Sequence, residues 1–161
     1  MSEYRVRLEK ECHVFSAAHF ITFHGDVCER LHGHNYGVAV DVTGPLDANQ
    51  YVIDFIVLRD ELKKITDALD HHVLLPTSHP LIRVTATATE VEAVFAGDGR
   101  RWVFPLGDCV LLPIANTTAE LLARYIAERL AAAIGSLQAQ PPTRLEVAVD
   151  ENHGQWGICV L

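Results

Sequence analysis

Two alternating stretches open the chain. From Tyr4 to Phe15 the residues begin Tyr-Arg-Val-Arg-Leu-Glu, and from Tyr36 to Val42 the period of two returns with Val38, Val40 and Val42 on one face. Alternation turns one set of side chains to a core and the other away from it, so both stretches predict strands, and they read as an antiparallel pair. Between them, Ala18 to Gly33 keeps no period and carries Gly25, Asp26 and Gly33. It is expected to be a long loop, a kind of segment that often carries function in compact domains.

The period then lengthens. Phe55, Leu58, Leu62, Ile65 and Leu69 fall at steps of three and four, which predicts an amphipathic helix with Asp54 as its N-cap. A second helix is predicted over Thr117 to Ile134, where Thr117-Thr118-Ala119-Glu120 fits a capping box and Leu122, Ile126, Leu130 and Ile134 share a face until Gly135. Between the helices, Ile82 to Val94 and Arg101 to Leu111 are rich in Val, Thr, Phe and Trp around the turn Ala96-Gly97-Asp98-Gly99. They predict an inserted β-hairpin over 82–111. Arg144 to Val149 and Gln155 to Val160 predict two last strands around Glu151-Asn152-His153-Gly154. The order β-β-α-(β-β)-α-β-β is an α+β plan, and 161 residues fit a single domain.

Composition narrows the function. A net charge of −8 argues against a surface that binds nucleic acid. Met1-Ser2-Glu3-Tyr4-Arg5 lacks the apolar core of a signal peptide, and no later apolar run is long enough to span a bilayer, so a soluble, cytoplasmic protein without a membrane partner is expected. The four cysteines have no C-x-x-C spacing, which suggests neither a disulfide framework nor a thiolate zinc site. Cys12, Cys109 and Cys159 lie in strand-like apolar surroundings and read as small buried hydrophobes.

The histidines change the picture, because five of the nine fall in the first quarter of the chain: His13, His19, His24, His32 and His34. In His32-Gly33-His34 the two imidazoles are two apart on a strand and project from one face, with Gly33 keeping the gap clear. If the first two strands pair, His19 returns beside His34, and three neutral imidazoles with a vacant fourth position describe a catalytic zinc site. A histidine taken alone is more often structural; the H-x-H pair with a strand-paired third favours ligation. Cys28, in the loop four residues before His32, is the candidate general base or nucleophile. Asp70-His71 pairs a carboxylate with an imidazole whose tautomer it can fix, although a helix C-terminus completed by a cation is the plainer reading. On composition alone, Glu120 is a capping-box acid and Glu151 a solvated turn residue.

These residues match a pattern in order: Phe15-Ser16-Ala17-Ala18-His19, Cys28-x-x-x-His32-Gly33-His34-Asn35-Tyr36, Val52-Ile53-Asp54-Phe55, Leu69-Asp70-His71, Thr117-Thr118-Ala119-Glu120 and Val149-Asp150-Glu151. The chain resembles the 6-pyruvoyltetrahydropterin synthase and 6-carboxytetrahydropterin synthase family. The resemblance implies the tunnelling fold, a four-stranded antiparallel sheet with two helices on one face, whose sheets close into a barrel in a homo-oligomer, a hexamer by family resemblance. It implies that His19, His32 and His34 bind Zn²⁺, that Cys28, Asp70 and His71 transfer protons, that Glu151 anchors the pterin and that Glu120 lies at its pocket. The implied substrate is dihydroneopterin triphosphate. The three-residue gap between Cys28 and His32 looks like the carboxy-type enzymes that feed deazaguanine (queuosine) synthesis. Pyruvoyl-type triphosphate elimination and a non-catalytic zinc-containing binding protein are the alternatives. The chain departs from the family pattern at Leu75, at Leu121 and in the 82–111 hairpin.

Overall fold

The computed structural model describes residues 2–137 and 141–161. The first predicted pair forms β1 (Tyr4–His19) and β4 (His32–Gly44), joined through two short strands, β2 (Thr22–Phe23) and β3 (Val27–Cys28). The expected loop is therefore shorter, and His19 and His32 both stand on strands. Helix α1 (Phe55–Asp67) starts at Asp54, whose carboxylate accepts the Ile56 N–H at 2.7 Å. Then come β5 (His72–Pro76), β6 (Ile82–Ala86), β7 (Glu90–Phe95), β8 (Arg101–Pro105), β9 (Cys109–Leu112), α2 (Ala119–Gly135), β10 (Arg144–Asp150) and β11 (Trp156–Val160).

The main sheet is six-stranded, in the order β11-β10-β4-β1-β5-β9, rather than four-stranded as expected. Its first four strands are antiparallel neighbours, whereas β5 runs parallel to the end of β1 and β9 parallel to β5. The added strands read His-Val-Leu-Leu-Pro and Cys-Val-Leu-Leu, short apolar runs without alternation, as strands in parallel pairing often are. The insert is likewise a three-stranded sheet, β6-β7-β8, not a hairpin. Its first turn has no Gly or Pro signal; the Thr87 hydroxyl makes it by accepting the Thr89 and Glu90 N–H groups. Residues 109–111, expected in the hairpin, belong with Leu112 to the main sheet.

Helices α1 and α2 set Leu58, Leu62, Leu122, Ile126, Leu130 and Ile134, all fully buried, into one core with Phe15, Val40, Val42 and Val147. Each such side chain contributes about 1.5–3 kcal/mol of burial. A second cluster under the insert gathers Phe20, Cys28, Leu75, Ile82, Val91, Ala93 and Phe95, with Trp102 stacked on Phe20 at 4.3 Å. Cys12 is exposed, contrary to its reading as a buried hydrophobe, because the β1–β4 register shifts between Glu9 and Val14 and His13 takes the inward position. Strand β11 crosses close over the start of α2. A Cβ on Gly157 would lie 2.4 Å from the Ala119 carbonyl carbon and the Glu120 nitrogen, so only glycine fits there. Among the described residues, no helix is long and apolar enough to cross a membrane.

Candidate metal centre

The antiparallel register sets His19 directly opposite His32 and Ala17 opposite His34. A Cβ on Gly33 would come within 3.1 Å of the Ala17 carbonyl oxygen, so glycine lets the strands meet between His32 and His34. The ligand nitrogens of His19, His32 and His34 lie within 4.8 Å of one another.

Backbone carbonyls choose the ring nitrogens. The fully buried His19 ring donates from Nδ1 to the Thr117 carbonyl at 2.9 Å, and His32 donates from Nδ1 to the Arg30 carbonyl at 2.9 Å. Each contact fixes the tautomer that leaves Nε2 with a free lone pair, as metal-ligating histidines are commonly held. The Nε2 of His19 is buried and has no hydrogen-bond partner. A buried polar atom of that kind requires an explanation, and a bound cation supplies one. Burial also lowers the His19 pKa to about 4, so the ring is neutral near pH 7, the form a metal requires.

Thr117 and Thr118 divide their work differently from the predicted capping box. Thr118 is the N-cap, accepting from the Leu121 N–H, so Glu120 stands one place too early for the reciprocal contact. Thr117 is buried, and its hydroxyl donates to the Phe20 carbonyl while its own carbonyl receives His19.

Residues 7–160 match the family described as 6-pyruvoyl tetrahydropterin synthase. The chain belongs to this family. A Methanocaldococcus jannaschii protein provisionally named 6-carboxy-5,6,7,8-tetrahydropterin synthase is 34% identical over 146 residues, covering 90% of this chain and 87% of its own. The Haemophilus influenzae 6-carboxy-5,6,7,8-tetrahydropterin synthase is 31% identical over 121 residues, covering 72% of this chain and 76% of its own. The Plasmodium falciparum 6-pyruvoyl tetrahydropterin synthase structure is 31% identical with a TM-score of 0.91 over 100% of this chain and 99% of that one, insert included. A Plasmodium vivax 6-pyruvoyltetrahydropterin synthase, 29% identical with a TM-score of 0.91 over 100% of this chain and 99% of that one, was solved with a catalytic glutamate replaced by alanine.

The other residues expected at a pterin-synthase site do not all meet. The Glu151 carboxylate joins the imidazoles, with Oε1 3.4 Å from His19 Nε2 and 3.9 Å from His34 Nε2. Asp70 and His71 form a pair at 2.8 Å on Ser16: the Ser16 N–H donates to Asp70 Oδ1 at 2.7 Å, and the His71 N–H to the Ser16 carbonyl at 2.7 Å. The Ser16 N–H, and after it His71, hold the Asp70 carboxyl below the usual carboxylate range. His71 adopts a left-handed backbone with φ 59°, uncommon outside glycine, and is 82% exposed. An open cleft of 360 Å³ lined by Ser16, Ala17, Gly33, His34 and Asn35 lies beside it.

Cys28 stands apart from that pair. Its buried thiol donates to the Glu29 carbonyl at 3.5 Å, and the charges acting on it are those of Arg100, Asp98 and Glu29. Burial pushes the thiol pKa up, and Arg100 opposes the rise. Glu120 is exposed on the first turn of α2.

Two residues escaped the sequence reading. The Glu29 Oε2 lies 3.8 Å from His32 Nε2, a position foreshadowed only by its place next to Cys28. Tyr36 packs its ring 5.7 Å from His19 and 5.5 Å from His34, with its hydroxyl buried and unpartnered. Burial, then Glu151, pushes that phenol's pKa upward.

Proposed function

We propose that this protein is a zinc-dependent lyase that acts on dihydroneopterin triphosphate, expels the triphosphate and forms 6-carboxytetrahydropterin, the product type named for its M. jannaschii and H. influenzae relatives. The observation that carries this reading is the convergence of three imidazoles, of which His19 and His32 have Nδ1 tied to carbonyls and His19 also has a buried, unpartnered Nε2. Zinc held by His19, His32 and His34 would supply a Lewis acid that acidifies a side-chain hydroxyl of the substrate.

The chain's own groups do the rest. Glu151 accepts hydrogen bonds from the 2-amino and ring N–H groups of the pterin and so orients the side chain toward the histidines. Glu120 lies at the edge of the same pocket. Asp70 fixes the His71 tautomer by its contact at Nδ1, leaving Nε2 to carry a proton. Cys28 is the base that takes a proton from the substrate side chain. Glu29 is a second reading for that base, favoured by its 3.8 Å approach to His32 and by the catalytic glutamate of the P. vivax relative. Assembly into a homo-oligomer, a hexamer on family resemblance, is supported by β11, an edge strand with exposed Trp156, Ile158 and Val160.

The whole-chain likeness to the P. falciparum enzyme favours pyruvoyl formation as the second reading of the product. Incubating the zinc-loaded protein with dihydroneopterin triphosphate and identifying products by mass spectrometry separates them. 6-Carboxytetrahydropterin with acetaldehyde is expected; 6-pyruvoyltetrahydropterin would select the second reading, and no turnover would leave a binding protein.

A further inference from the structure

The insert grips the 20–31 loop in two ways. One is apolar, the stack of Trp102 on Phe20 within the cluster that also buries Cys28. The other is a single guanidinium. Arg100 donates from Nη2 to the Cys28 carbonyl at 2.7 Å and from Nη1 to the Glu29 carbonyl at 3.2 Å. Its Nε donates to Asp98 Oδ2 at 2.6 Å, and its backbone N–H to Asp98 Oδ1 at 3.0 Å. The same guanidinium lies 5.7 Å from the ring centroids of Phe95 and Trp102. From the other side of the loop, the Glu29 N–H donates to the Ile21 carbonyl at 2.9 Å.

A staple holding the insert down would need one such bond anywhere along the loop. Here the planar fork engages two consecutive carbonyls, which a lysine ammonium cannot match because it lacks the fixed fork. Those carbonyls belong to Cys28 and Glu29, the two residues whose side chains are the candidate bases. Asp98 and the two rings hold the fork itself, so its position is set before any substrate arrives.

We propose that Arg100 is a positioning residue for proton transfer: it fixes the Cys28–Glu29 backbone and thereby the direction in which both side chains leave the loop. The inference rests on the pterin-synthase reading, and holds whichever of the two residues is the base. It makes the insert part of the catalytic apparatus through one side chain rather than a peripheral addition.

The test compares wild type with Arg100→Gln, Arg100→Lys and Asp98→Asn, all zinc-loaded. Amide hydrogen exchange across 24–31 is measured together with kcat and KM on dihydroneopterin triphosphate. Arg100→Gln is expected to keep its zinc and its melting temperature, to exchange amides of 27–31 about tenfold faster, and to lose about 10–100-fold in kcat with KM within about twofold, as expected for a misplaced reacting group. Arg100→Lys should fall between wild type and Arg100→Gln in both readouts, and Asp98→Asn should move them the same way by less. If Arg100→Gln does not fold, the lysine variant carries the comparison. Unchanged loop exchange, unchanged kcat, or a loss that follows global unfolding would overturn the proposal. A wild-type protein inert toward this substrate, with the loop still loosened in Arg100→Gln, would reject the pterin reading and retain the hold of Arg100 on the loop.

Discussion

His19 and Thr117 lie 98 residues apart in sequence and are joined by one hydrogen bond of 2.9 Å from the imidazole Nδ1 to the threonine carbonyl. The bond ties the end of β1 to the residue before the α2 N-cap, and it decides which nitrogen of His19 is available to a metal. Purified protein is therefore expected to hold about one zinc per chain, and His19→Ala, His32→Ala and His34→Ala each to lose most of it. Metal analysis by plasma mass spectrometry checks this; full zinc in any of the three removes that residue from the ligand set.

The same burial gives a pH dependence. An unfolded imidazole protonates near 6.5, whereas folded His19 resists until about 4, so between those values the unfolded chain binds the extra proton. In metal-stripped protein this contribution is complete above pH 6.5 and is lost as pH falls toward 4, by about 3 kcal/mol in all. Urea unfolding at pH 7 and pH 4.5 measures it, and His19→Gln should lose stability less steeply than wild type over that interval.

Glu151 stands close enough to the histidines to serve either a pterin or a metal. We expect Glu151→Gln to retain zinc and to weaken pterin binding by about 1–3 kcal/mol, since an amide NH₂ then faces donors that had met an acceptor. Calorimetry with a pterin ligand and metal analysis on one preparation give both quantities. Zinc loss would make Glu151 a ligand, and wild-type pterin affinity would remove it from the pocket.

Cys28 and Glu29 are two candidate bases on adjacent residues, one buried beneath the insert and one 3.8 Å from a member of the histidine cluster. Whichever acts, its removal should cost about 10²–10⁴-fold in turnover with zinc retained. Cys28→Ala is expected to show that loss. Near-full activity in Cys28→Ala beside a large loss in Glu29→Gln would transfer the role to the carboxylate.

Gly157 supplies a stability prediction outside the chemistry. Gly157→Ala must push β11 away from the first turn of α2, because its Cβ would lie 2.4 Å from backbone atoms there. A loss of about 1–3 kcal/mol, as for overpacked sites, is expected by thermal or urea unfolding.

The three histidines were legible because strand periodicity and pairing act locally: His32 and His34 share a face by spacing, and His19 follows once two neighbouring strands pair. Their hydrogen-bond partners were not, since Thr117 and Arg30 contribute backbone carbonyls, which every residue has. The capping box shifted by one residue because two threonines compete for the cap, and the buried Thr117 is drawn to Phe20 and His19. Strand β5 escaped because a run of five residues without alternation gives no period to detect, and most of β9 reads as the end of a hairpin arm because nothing local tells which sheet so short an apolar run joins. Arg100 escaped for a different reason, because it acts across 71 and 72 residues on main-chain oxygens.

The register shift between Glu9 and Val14 divides the long β1–β4 ladder into two lengths. The outer length, from Tyr4 to Glu9, has its alignment fixed by pairs such as Val6 with Val42 and Leu8 with Val40. The inner length holds the histidines, and the irregularity absorbs a mismatch of about three residues, since β1 advances from Glu9 to Val14 while β4 moves only from Ala39 to Gly37, before it reaches them. Insertions or deletions near Lys10 to His13 would thus be tolerated in the course of descent without dismantling the histidine cluster. An ion bridging His19 on one strand to His32 and His34 on the other would in turn close the inner length like a clasp, fixing its alignment independently of the outer one.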